Sequence, residues 1–149
     1  MAVLSWGKPT VEFTESVLGV PGSTWTAFGE IVEGTAQLET TEGEIIEATE
    51  EGGIVVDSRR KASKYKLSLE LFVKKGDTKP IDDDNGIITK NYAVRVTPED
   101  PECEGFVFDN TNVSVFETWN SADGKRRKYI FDAIKPADDK IIKPYVKGK

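Results

Sequence analysis

The chain has 149 residues, 38% hydrophobic and 31% charged, with a net charge of −6 and a pI near 4.8. That length suits one domain, and charges interspersed with aromatic and β-branched residues exclude a disordered chain. The acidic balance argues against nucleic-acid binding as the main task, because neutralising phosphates needs a basic surface, and no apolar run approaches the ~20 residues of a membrane helix.

Taken from the start, MAVLSWGKPTVEF has neither a basic n-region nor an apolar h-region, so no secretory signal is expected. Val11 and Phe13 begin a short alternation that ends at the turn signal Val20-Pro21-Gly22-Ser23. From Ala36 to Ala48 the apolar residues fit neither period well. Gly43 and the β-branched Thr40, Thr41, Ile45 and Ile46 favour a strand pair over a helix.

The stretch from about residue 40 to 64 is too long for a connection, since loops in compact domains usually run about 4–6 residues. It is also segregated by charge. Glu42, Glu44, Glu47, Glu50 and Glu51 lie on one limb, Arg59, Arg60, Lys61 and Lys64 on the other, and the apolar Ile54, Val55 and Val56 lie between them.

Directly after it comes the strongest periodicity in the chain. Tyr65, Leu67, Leu69, Leu71 and Val73 alternate with Lys64, Lys66, Ser68 and Glu70, the pattern of a half-buried antiparallel strand. One short helix is expected over Lys79–Lys90, with Pro80 in its first turn, Asp82, Asp83 and Asp84 at its positive end, and Gly86 limiting its length. Further short alternations follow at Val94/Val96, Phe106/Phe108, Val113/Val115 and Tyr129/Phe131/Ala133, punctuated by turn signals at 97–101, 109–110 and 121–124. The fold class expected is mainly β: an antiparallel β-sandwich or barrel with one short flanking α-helix and a long extended loop, in a single domain. The end of the chain, about residues 136 to 149, reads as an extended arm that needs a neighbour for its order. From Ser121 onward the chain carries nine bases and four acids, a net +5, which leaves −11 on the first 120 residues.

The sequence contains no histidine, which removes the commonest general base, the commonest zinc ligand and every Ser-His or Cys-His pair. Acids are so numerous that a suitable carboxylate pair carries no information without a cleft. Aligning Gly86 with the glycine of a calcium-binding loop puts Ile81 and Tyr92 at positions that need oxygen donors, so Asp82-Asp83-Asp84-Asn85-Gly86 reads as a solvated turn. The glycines show no phosphate-binding spacing. Cys103, the single cysteine, reads as an incidental thiol between Glu102 and Glu104. The basic Lys125-Arg126-Arg127-Lys128 reads as a hairpin for solubility or protein contact, and Trp6, Trp25 and Trp119 as core residues, unless exposure makes them a sugar platform. No catalytic residue, cofactor or metal is expected.

The order of elements carries a resemblance. Trp25-x-x-Phe28-Gly29-Glu30-Ile31 leads into acidic strands, then Glu50-Glu-Gly-Gly-Ile-Val-Val-Asp57, then a basic stretch into the long strand. Later come Gly86, Tyr92-Ala-Val-Arg-Val-Thr-Pro-Glu99 and Gly105-Phe-Val-Phe108. From about Trp25 to Ile134 the chain resembles the tail tube proteins of long-tailed bacteriophages and of related contractile injection devices. The resemblance implies a non-enzymatic structural subunit that forms rings of six, stacked as a hollow tube in the virion tail and assembled in the bacterial host cytoplasm. Its partners would be other copies of itself and other tail or baseplate proteins, with DNA only in transit and no membrane.

It also implies that the loop at 40–64 contacts a neighbouring copy. Glu42, Glu44, Glu47, Glu50, Glu51, Arg59, Arg60, Lys61 and Lys64 would then set register by charge, and Ile54, Val55 and Val56 would be buried there. The alternatives are a tube protein of a type VI or other contractile system, a monomeric sugar-binding β-sandwich using Trp119 or Trp25, and an enzyme with paired carboxylates.

Overall fold

A computed structural model describes residues 3–138 and 140–147. Its strands, in chain order, are β1 (Thr10–Val17), β2 (Val20–Pro21), β3 (Thr26–Ala27), β4 (Gln37–Thr41), β5 (Ile45–Thr49), β6 (Val55–Arg60), β7 (Lys64–Phe72), β8 (Ile87–Thr97), β9 (Gly105–Asn120), β10 (Gly124–Ala133) and β11 (Lys143–Tyr145). Nine of them form one antiparallel sheet in the order β2-β1-β8-β9-β10-β7-β4, with β3 pairing β1 and β11 pairing β9. β5 and β6 pair only with each other.

The antiparallel β part of the expectation is met, and the sheet takes the form of a curled half-barrel. Register shifts between Ile87 and Asn91 and between Tyr92 and Val94 interrupt the β8–β9 ladder, and such irregularities bend and coil a sheet. The alternating residues supply the concave face. Leu67, Leu69, Val113, Val115, Tyr129 and Phe131 are buried there with Val11, Phe13, Val94 and Phe108. The open side is closed by irregular chain, through the buried Phe28, Val32 and Ile81. Phe28 stacks within 4.6 Å of Phe13 and 5.7 Å of Tyr129, and the Tyr129 hydroxyl donates to the Ile81 carbonyl at 3.0 Å.

The helix expected over Lys79–Lys90 is absent, and no residue among those described is helical. Asn85 and Gly86 both have positive φ, 53° and 85°, and Asp84 and Ile87 exchange backbone hydrogen bonds of 2.9 and 3.0 Å. That is a tight hairpin turn, which the dipeptide Asn-Gly favours because both residues tolerate the left-handed region. Asp83 does not sit at a helix start. It accepts from the Gly86 amide at 2.6 Å and pairs with Lys79 at 2.7 Å.

The C-terminal segment finds its neighbour in its own sheet. Lys143 to Tyr145 pair with Val107 to Gly105, Ala137 donates to the Gly19 carbonyl at 3.2 Å, and Lys143 pairs with Asp109 at 2.5 Å and with Asp138. Tyr145 and Trp25 both pack on the Arg95 guanidinium, at 5.0 and 4.3 Å from their ring centroids, and Glu12 bonds the same guanidinium at 3.1 and 3.3 Å. Asp139, Gly148 and Lys149, part of the arm read from the sequence, lie outside the described residues.

Candidate functional site

The stretch from 40 to 64 is a β-hairpin that projects from the sheet. β4 pairs with the first half of β7, Thr41 opposite Lys64, and the two limbs continue outward as β5 and β6, with Ile45 opposite Arg60. The Lys61 amide donates to the Glu44 carbonyl at 3.0 Å and joins the two ladders. Gly43 is required at this junction, because a Cβ there would run into the Lys61 carbonyl. At the tip the Glu50 amide donates to Ile54 at 2.9 Å and the Gly53 amide to Glu50 at 3.0 Å, and Gly52 and Gly53 hold φ of +103° and +94°. At roughly 3.3 Å per residue the arm reaches about 30 Å beyond Thr41.

Every residue of β5 and β6 is exposed. Ile46, Ile54, Val55 and Val56 are 52%, 65%, 47% and 68% exposed, although their sequence would suit a core strand. A two-stranded hairpin is marginal in water by itself, and clustered exposed aliphatics mark a contact surface. Register sets its two faces. Ile46, Arg59, Ala48 and Asp57 share one, Ile45, Arg60, Glu47 and Ser58 the other, and a bulge after Ala48 leaves Val56 as the extra residue.

The charges predicted to meet a neighbour divide into two groups. Arg60 pairs with Glu42 at 3.2 Å and Lys61 with Glu44 at 3.3 Å, so these four are matched within the arm itself. Among the described residues, Glu47, Glu50, Glu51, Arg59 and Lys64 form no ion pair. The outer end of the arm is therefore both acidic and aliphatic.

The basic run at 125–128 alternates in direction with the strand. Lys125 and Arg127 both reach Glu117 at 3.3 Å and hold its carboxyl below the usual range. Arg126 lies 5.6 Å over the Phe72 ring. Trp6 and Trp119 are exposed, against the reading of them as core, while Trp25 covers Arg95. Trp25 packs near the start of β9, since Arg95 pairs with Val107, and Trp119 stands near its other end. About 12 strand residues, roughly 40 Å, separate them, so they do not form one sugar platform.

Two of the surface clefts among the described residues contain charged side chains. One of about 480 Å³ is lined by Gly7, Lys8, Pro9, Ile31, Val32 and Glu33. The other, of about 440 Å³, holds Glu30 and Asp77 beside Lys74 and Arg127. The Lys74 ammonium, 2.7 Å away, holds Glu30 below the usual carboxylate range, the opposite direction from a general acid.

No protein-family model and no curated protein matches the sequence. Among solved structures, the chain is similar to one described as a cryo-EM structure of an extracellular contractile injection system, PVC sheath/tube terminator in extended state. The TM-score is 0.56 at 10% identity, over 91% of this chain and 93% of that chain. Likeness at that identity shows a shared fold across nearly the whole length of both proteins.

Proposed function

We propose that this chain is a non-enzymatic structural subunit of a tail or injection-device tube, which assembles with copies of itself into rings, six per ring, around a hollow lumen. The observation that carries the reading is the projecting hairpin: a long arm of two strands that pair only with each other and bury neither face, with exposed aliphatics at its end, on a fold shared with a sheath/tube terminator. An acidic subunit suits a lumen through which DNA passes, since carboxylates repel phosphates.

The particular likeness favours a second reading within the same class, a terminator whose ring ends a tube and contacts tube and sheath proteins. The two differ in how far assembly proceeds. Electron microscopy of purified protein over a concentration series gives tubes of increasing length for a tube subunit, and single rings of fixed mass for a terminator. A monomer throughout would contradict both.

A further inference from the structure

The one Asn-Gly pair in the sequence, Asn85-Gly86, occupies the two central positions of the hairpin turn before β8. In a flexible chain this dipeptide is chemically labile, because glycine has no Cβ to hinder attack by its own amide nitrogen. The Gly86 nitrogen loses its proton and attacks the Asn85 Cγ. A C–N bond forms, the Cγ–Nδ2 bond breaks, and ammonia leaves with the proton. Water then opens the cyclic imide at either carbonyl, which leaves aspartate or isoaspartate. The Asn85 side chain is exposed, so water reaches it.

The turn withholds the nucleophile. The Gly86 N–H donates at 2.6 Å to a carboxylate oxygen of Asp83, whose side chain is only 6% exposed. Lys79, and after it the Gly86 amide, hold the Asp83 carboxyl below the usual range, so the acceptor is charged at neutral pH. A proton shared with a carboxylate shielded from water is harder to remove. Geometry opposes ring closure as well. The Asn85 Cβ and the Gly86 nitrogen must meet on one side of the Asn85 Cα–C bond, and in a type I′ turn they lie on opposite sides. Rotation about that bond breaks the Asp83 contact and both hydrogen bonds between Asp84 and Ile87. We propose that Asn85 is a deamidation site which the buried Asp83 carboxylate holds closed. Its conversion reaches the core, because isoaspartate lengthens the backbone between Asp84 and Ile87. The same segment carries Ile81, which is 1% exposed and accepts the Tyr129 hydroxyl.

The test follows conversion at Asn85 in the full-length protein by peptide mass spectrometry that resolves aspartyl from isoaspartyl products, at mildly alkaline pH. The folded parent is compared with the same chain in guanidinium chloride, and with Asp83→Ala and Asp84→Ala variants whose folding is checked by circular dichroism. Asp84→Ala controls for loss of a neighbouring negative charge. The parent should convert at least about tenfold more slowly folded than unfolded. Asp83→Ala should convert at least about tenfold faster than Asp84→Ala, as expected for the loss of a hydrogen bond to a charged group. Asp83→Asn, which keeps an acceptor oxygen without the charge, replaces an Asp83→Ala that fails to fold and must likewise outpace Asp84→Ala. Equal rates in the folded and unfolded parent overturn the proposal. So does an Asp83 variant no faster than Asp84→Ala, and a slower one would make the carboxylate a base for the reaction instead of its restraint.

Discussion

The backbone amide of Lys61 donates to the carbonyl of Glu44 at 3.0 Å, across the only gap between the two ladders of the arm. This bond makes β4–β7 and β5–β6 one lever, and Gly43 lets the strands close around it. Gly43→Ala therefore misdirects the arm while sparing the core. The expected result is a Tm within about 3 °C of the parent, as for other surface changes, and a clear loss of assembly by light scattering.

The two charge groups on the arm are expected to behave differently. Reversing Arg60 and Lys61 breaks exposed pairs with Glu42 and Glu44, which contribute little. Reversing Glu47, Glu50 and Glu51 to lysine inverts the unpaired charge that the proposed contact between copies presents to its neighbour. Assembly measured against salt separates them: the glutamate variant should assemble worst at low ionic strength, where repulsion is least screened.

In the core, the Tyr129 hydroxyl donates a buried hydrogen bond to the irregular chain that closes the half-barrel. Tyr129→Phe leaves the Ile81 carbonyl without that donor and should cost about 1–3 kcal/mol in chemical denaturation, with circular dichroism unchanged.

The C-terminal strap should respond to pH at both extremes. Asp138 is held below its ordinary value of 3.8, chiefly by its hydrogen bond with Lys143, so its contribution is complete above that value and is lost as pH falls through the depressed one. Lys143 is raised above its ordinary 10.5, chiefly by Asp109 and then Asp138, so its contribution is complete below that value and lost as pH rises through the raised one. Protection of the Lys143 and Tyr145 amides, taken relative to the intrinsic exchange rate at each pH, should therefore hold between those limits and fall outside them. Lys143→Ala should lower that protection at neutral pH.

How much of this was legible in the sequence follows from where each signal resides. Tyr65 to Leu71 alternate because one face of β7 is buried, and a period of two is readable without any neighbour. The arm was legible as excess length, segregated charge and strand residues on both sides of Gly43, yet the partners were not: β4 pairs with β7 and β5 with β6 rather than with each other, and β5 and β6 bury neither face and so carry no alternation. The helix at Lys79–Lys90 was an error of weighting. Pro80 and three aspartates suit a helix start, but Asn85-Gly86 is the stronger, local hairpin signal. Phe28, Val32 and Ile81 close the core from irregular chain, where no period exists to reveal them. The exposed Ile87, Phe116 and Phe72 stand on three different strands, β8, β9 and β7, and cross-strand register alone relates them. Which of Glu42 to Lys64 would be matched internally likewise depended on pairing across the hairpin.

The central claim is that the arm drives association between copies. Its most direct test compares the full chain with one in which residues 42–61 are replaced by a two-residue Asn-Gly turn, using light scattering and negative-stain microscopy over one concentration series. The account predicts rings or tubes and a mass that rises with concentration for the full chain, and a folded monomer for the shortened one. Assembly of both chains alike, or of neither, would contradict it.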